Sequence, residues 1–112
     1  VSGTPPSFAP TAAEAFLLAL IRMRESSNNY TATNMVSTAS GAYQFIDGTW
    51  TAVAKASSVG TAYSRAKDAP PVDQDYNALT LLRANGPNSS YSWKASGPYP
   101  TLAECEFAME FA

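Results

Sequence analysis

The chain has 112 residues, with seven basic and nine acidic side chains, no histidine and one cysteine, for a net charge of −2. The length fits a single small domain. The missing histidine removes the commonest metal ligand and the usual base of Ser/His and Cys/His catalysis, a lone Cys105 permits no internal disulfide and speaks against zinc, and seven scattered basic residues leave no nucleic-acid footprint.

Residues 1–10 are rich in Pro, Ser and Gly and read as a tail or linker before a domain over 11–112. The opening "VSGTPPSFAPT" has neither the basic start nor the apolar core of a signal peptide. "TAAE" is a capping-box pattern, Thr11 as N-cap and Glu14 reaching back, so a first helix is expected over Ala12–Glu25. Phe16, Leu17, Leu18, Leu20, Ile21 and Met23 make it apolar most of the way round, which predicts a central, buried helix. The apolar run Ala15–Ile21 is far short of the ~20 residues of a membrane span.

That helix ends on a carboxylate. Glu25 stands four residues after Ile21 and eight after Leu17, so it continues an apolar row. The negative end of the macrodipole repels it there. The position is poor for stability, which raises the question of chemistry.

Residues 26–46 read as a long ordered loop, with a strand-like piece at Tyr43–Phe45. Asp47 is placed to cap a second helix over Gly48–Ser57, whose inner face is Trp50, Val53 and Ala54. Short helical turns are expected near Ala62–Lys67. Pro70 and Pro71 suit a helix start, and the third helix is expected over Val72–Asn85 with Val72, Tyr76, Leu79 and Leu82 on its core side. Gly86–Pro87 is a stop signal. An aromatic loop, "NSSYSWKASGPYP", follows. "TLAE" then repeats the capping box at Thr101 and Glu104 and opens a last helix, on which Cys105 reads as a small buried hydrophobe. The fold class is mainly α, a small helical domain with a cleft and little or no β-sheet.

Three segments carry a resemblance: Glu25-Ser26 at the helix end, then Gly41, Gln44, Phe45, Thr49 and Trp50, then Gln74, Asn85, Gly86 and Trp93. In order and spacing they resemble the lysozyme-like (α+β) superfamily, and within it the transglycosylase-like domains of the resuscitation-promoting-factor group and related phage and actinobacterial muralytic domains. The resemblance covers about residues 13–93. It departs from that pattern at Ala42 and Tyr43, where a second glycine is common, and in "SSNNY", which replaces a Gly-Gly-Asn run.

The resemblance implies a peptidoglycan-cleaving glycosidase with Glu25 as its acid. A carboxyl protonates a departing glycosidic oxygen at neutral pH only where its proton is held tightly. Apolar surroundings and a helix C-terminus both act in that direction. A lytic transglycosylase would reuse the same group as base towards the muramoyl C6 hydroxyl. A muramidase would hydrolyse the same bond and expects a second carboxylate. Asp47 and the first-turn acids Asp73 and Asp75 are more simply explained by helix ends. By the resemblance Gln44 faces the cleft and binds substrate; Tyr43, which points to the opposite face in a strand-like segment, is a second substrate-binding candidate or else packs with Phe45 in the core. Ser26 supports Glu25 or the turn after it. Tyr30, Tyr91, Trp93 and Tyr99 offer sugar-stacking faces or pack under loops, and Asn77 is a further cleft candidate. Trp50 belongs to the core.

No cofactor is implied. The expected partner is the glycan strand of the wall, met by a monomer that is secreted, wall-bound or virion-borne. A non-catalytic glycan-binding module and a phage structural domain are the readings from other classes.

Overall fold

The computed structural model of the protein describes residues 9–85, 93 and 99–110. Among these, four α-helices carry the fold: α1 (Ala12–Ser26), α2 (Asp47–Ser57), α3 (Pro71–Ala84) and α4 (Leu102–Met109), with a short 3-10 turn at Ala66–Asp68. Strand pairing among the described residues is confined to two isolated bridges, Thr33 with Ser40 and Ser40 with Phe45. The mainly-α class read from the sequence is therefore observed.

Both capping boxes form. Thr11 Oγ1 accepts from the Glu14 N–H at 3.2 Å and Glu14 Oε1 accepts from the Thr11 N–H at 2.8 Å. Thr101 and Glu104 repeat the exchange at 3.2 and 2.9 Å. Glu14 also receives Nε and Nη2 of Arg83, both at 2.8 Å, so the cap of α1 fastens that helix to α3. The Arg83 guanidinium holds the Glu14 carboxyl below its usual range, against the upward push of burial. Arg83 reaches further, to the Ala9 carbonyl at 3.2 Å. Of the expected tail, residues 1–8 lie outside the described residues.

The apolar girdle of α1 is only partly covered. Leu17, Leu18 and Ile21 are buried, but Phe16 and Met23 stay 52% and 58% exposed. Instead of standing central, α1 packs one face on α3 and α4. Asp47 is not a cap: Ile46 is the N-cap residue of α2, and Asp47 lies in the first turn with its carboxylate on Arg65 Nε at 3.3 Å. An acid there still meets the positive end of the helix.

α3 departs most from the apolar pattern. Leu79 and Leu82 are buried as expected, but Val72 is 52% exposed and Tyr76 half-buried. The inner face of the first two turns is polar: Asp73, Gln74 and Asn77 are fully buried. Helical spacing puts Asp73 and Asn77 on one side and Gln74 with Ala78 beside them. The helix ends at Ala84; the Gly86–Pro87 stop lies outside the described residues.

The core is aromatic at its centre. Phe45 stands edge-on to Trp50 at 5.4 Å and to Trp93 at 6.3 Å, and Tyr43 closes the group at 6.2 Å from Phe45. Burial of one such ring is worth about 1.5–3 kcal/mol. Trp50 is fully buried, as its spacing predicts, and its Nε1 donates to the Tyr63 carbonyl at 2.9 Å. α4 lies on α1 with Cys105 buried, and burial, then the charges of Glu104 and Glu106, push its thiol up.

Candidate functional site

α1 stops where the chain turns left-handed. Ser27 and Asn28 have φ of 55° and 64°. The Asn28 N–H returns to the Arg22 carbonyl at 3.0 Å and the Ser27 N–H to Met23 at 3.1 Å. This engages the Arg22 and Met23 carbonyls in the last turn and fixes the direction of exit. Glu25 lies half-buried in that final turn. Its Oε2 accepts the hydroxyl of Tyr99 at 2.7 Å, across 74 residues of sequence. The neighbouring Arg24 guanidinium lies over the Tyr99 ring, 5.1 Å from its centroid. Burial, followed by the bond to Glu25, pushes the Tyr99 phenol well above its ordinary range. The apolar setting expected for Glu25 is thus polar on one side. Among the described residues, Oε1 accepts no hydrogen bond.

Beside this turn sits the loop Ser40–Phe45. It is a tight turn, not a strand: Ser40 and Phe45 exchange both backbone hydrogen bonds at 3.0 Å. Ser26 Oγ ties it to the end of α1, donating to the Ala42 carbonyl at 2.8 Å. The same oxygen accepts from the Asn29 N–H at 3.0 Å. Ser26 therefore holds the turn after the helix. From the other side, Gln74 Oε1 accepts the Ala42 N–H at 2.9 Å. Gly41 must be glycine here, with φ +80° and space for a Cβ only 2.5 Å from Gln74 Oε1. Gln44 has φ of 53°, a left-handed position that costs a non-glycine residue about 1–2 kcal/mol. It is half-buried, and its Nε2 donates to the Gly41 carbonyl at 3.0 Å.

A third group of side chains braces both. Asp75 Oδ1 accepts from Tyr30 at 2.7 Å and from Tyr43 at 2.6 Å, with Arg22 Nη1 at 3.8 Å. Arg22 also donates to the Tyr43 oxygen at 2.8 Å and, through Nε, to Asn28 Oδ1 at 2.8 Å. Burial and then the Asp75 hydrogen bond push the Tyr30 phenol up to about 12. Burial and the Asp75 charge raise Tyr43 further still.

These contacts correct several site expectations. Tyr43 is fully buried with its hydroxyl committed to Asp75 and Arg22, so it braces the core and has no face for substrate. Asn77 is likewise buried: its Nδ2 donates to the Val59 carbonyl at 3.0 Å and its Oδ1 accepts from Ser57 Oγ at 2.6 Å. Trp93 packs among Phe45 and Tyr43 with Nε1 on the Tyr43 carbonyl at 2.9 Å, the packing alternative rather than a sugar platform. Tyr30 is half-buried and its hydroxyl is spent on Asp75. Tyr99 is not an open stacking face, since Arg24 covers its ring. Tyr91 lies outside the described residues.

Sequence reasoning missed Asp75 as an acceptor for two tyrosines, and missed Tyr99 as the partner of Glu25. It also missed Asp73, which is fully buried and, among the described residues, has no hydrogen-bond partner on either carboxylate oxygen; burial pushes its carboxyl up. A polar residue at each inner position of the first turns of α3 was the available signal. Among the described residues, no group of three His, Cys, Asp or Glu side chains is placed to hold a metal, and no helix is long and apolar enough to cross a membrane. No protein-family model, no curated protein and no solved structure is significantly similar to the chain.

Proposed function

We propose that this chain cleaves the β-1,4 bond between N-acetylmuramic acid and N-acetylglucosamine in peptidoglycan, as a lytic transglycosylase. The observation that carries the reading is the setting of Glu25: half-buried at the end of α1, one oxygen held by Tyr99 and the other unengaged by the described residues. In this reading Glu25 gives its proton to the departing glycosidic oxygen as the C1–O bond breaks. The muramoyl C6 hydroxyl then bonds to C1, and the Glu25 carboxylate takes the hydroxyl proton. The product is a 1,6-anhydro sugar, and Glu25 ends protonated as it began.

Hydrolysis in either stereochemical course calls for a second carboxylate. Asp47 is paired with Arg65, Asp68 with Lys67, and Asp75 with two tyrosines, while Asp73 is sealed in the core. Those commitments favour the single-carboxyl scheme over the muramidase. Gln44 supports the reading in a second way. Backbone strain of its kind persists where the surrounding structure holds it and clusters at functional sites. The loop that carries it is tied to the end of α1 through Ser26. Gln44 is assigned to bind substrate beside the scissile bond. A wall polysaccharide as substrate places the protein outside the cell, at the wall, or on a phage particle.

The reading is tested by release of soluble fragments from purified peptidoglycan. Glu25→Gln is expected to lower the rate about 10²–10⁴-fold, the usual weight of a general acid. An unchanged rate in Glu25→Gln would remove the assignment. No release by the unchanged protein across a range of pH would favour a glycan-binding module or a structural domain.

A further inference from the structure

We infer that Tyr99 is the positioning residue of Glu25: its hydroxyl fixes Oε2, so that Oε1 is turned to the glycosidic oxygen. The inference rests on the proposed role of Glu25 and adds to it a group that the resemblance does not supply. Tyr99 is two residues from the Thr101 cap of α4, and α4 packs along α1. The tyrosine therefore sits on the segment that leads directly into a helix packed on α1. Its ring is fixed by Arg24 at 5.1 Å and its hydroxyl reaches Glu25 at 2.7 Å. Two consecutive side chains of the last turn of α1 thus grip one residue. A carboxylate on a helix end has three rotatable side-chain bonds; a short bond from a half-buried phenol removes that freedom before substrate arrives, which is how preorganisation lowers a barrier. The phenol is suited to the task because burial and Glu25 both keep its proton in place.

Tyr99→Phe keeps the ring on Arg24 and removes only the donor. Hydrogen bonds to charged groups are worth a factor of roughly 10–100, so kcat on peptidoglycan is expected to fall by up to about that factor while KM stays near that of the unchanged protein. A purely structural role would lower the thermal midpoint and leave kcat alone, and that result overturns the proposal. A readout independent of turnover is the 13Cζ chemical shift of labelled Tyr99 in the folded protein at neutral pH. In Glu25→Gln that signal should move, because the carboxylate that accepts the phenol proton at 2.7 Å is replaced by a neutral amide. An identical shift in the two proteins overturns the pairing whether or not the chain cleaves glycan. If the signal moves but the unchanged protein cleaves nothing, Tyr99 still holds Glu25, and the catalytic purpose assigned to that contact is overturned with the proposed function.

Discussion

Gln74 Oε1 receives the Ala42 N–H at 2.9 Å while its Nε2 donates to the carbonyls of Tyr30 and Ala69, each at 2.9 Å. One fully buried amide thus satisfies three backbone groups, two of which belong to the loops flanking the end of α1. Gln74→Leu would leave all three without partners. Each unsatisfied buried group costs about 1–3 kcal/mol, so urea unfolding should show a loss of roughly 3 kcal/mol or more, a large share of the ~5–15 kcal/mol typical of a domain. A loss of about 1 kcal/mol or less would mean that the loops find other partners and that Gln74 is not their staple.

The paired tyrosines on Asp75 predict alkaline sensitivity. Burial and Asp75 raise the Tyr30 phenol to about 12, and Tyr43 is raised as well, from an ordinary value of 10.0. A folded-state value above the unfolded one stabilises fully below the unfolded value, and that contribution drains away as pH rises. Thermal midpoints should therefore fall from about pH 10 upward, with the Tyr30 share lost by about pH 12. Tyr30→Phe should flatten part of the fall. A midpoint independent of pH between about 9 and 12 would contradict the network.

Asp73 predicts an effect of the opposite kind. Its carboxylate is buried with no hydrogen-bond partner among the described residues, and burial raises its folded-state value above the ordinary 3.8. Above the raised value the protein carries the cost of a sealed charge; as pH falls through it, protonation relieves that cost. Asp73→Asn should raise the thermal midpoint at pH 7, and the advantage should shrink on acidification. A lower midpoint in Asp73→Asn at pH 7 would show that the carboxylate is doing something useful in the core.

Much of the helix framework was legible because its signals are local. Thr11 with Glu14 and Thr101 with Glu104 mark two helix starts by a spacing of three, and Pro70–Pro71 marks another. Trp50, Val53 and Ala54 reveal their face by period alone, and all three are buried. The face of α3 was not legible in this way. Hydrophobic period assigns Val72 inward, but the inward positions hold Asp73, Gln74 and Asn77, and two of these serve loop backbone rather than apolar neighbours. Tyr43 misleads for a related reason, since a tyrosine in a loop reads as accessible while its ring completes an aromatic core. The position of Glu25 was visible from its row on α1. The Tyr99 contact was not, because 74 residues separate the pair and no local pattern records such a pairing.

Mass spectrometry of purified peptidoglycan digested with the unchanged protein and with Glu25→Gln decides the role of Glu25. Muropeptides lighter by one water than their hydrated counterparts, carrying 1,6-anhydro ends, are expected from the unchanged protein and are expected to be absent with Glu25→Gln. Hydrated reducing ends from the unchanged protein would contradict the single-carboxyl scheme, and anhydro products that persist in Glu25→Gln would contradict the role of Glu25.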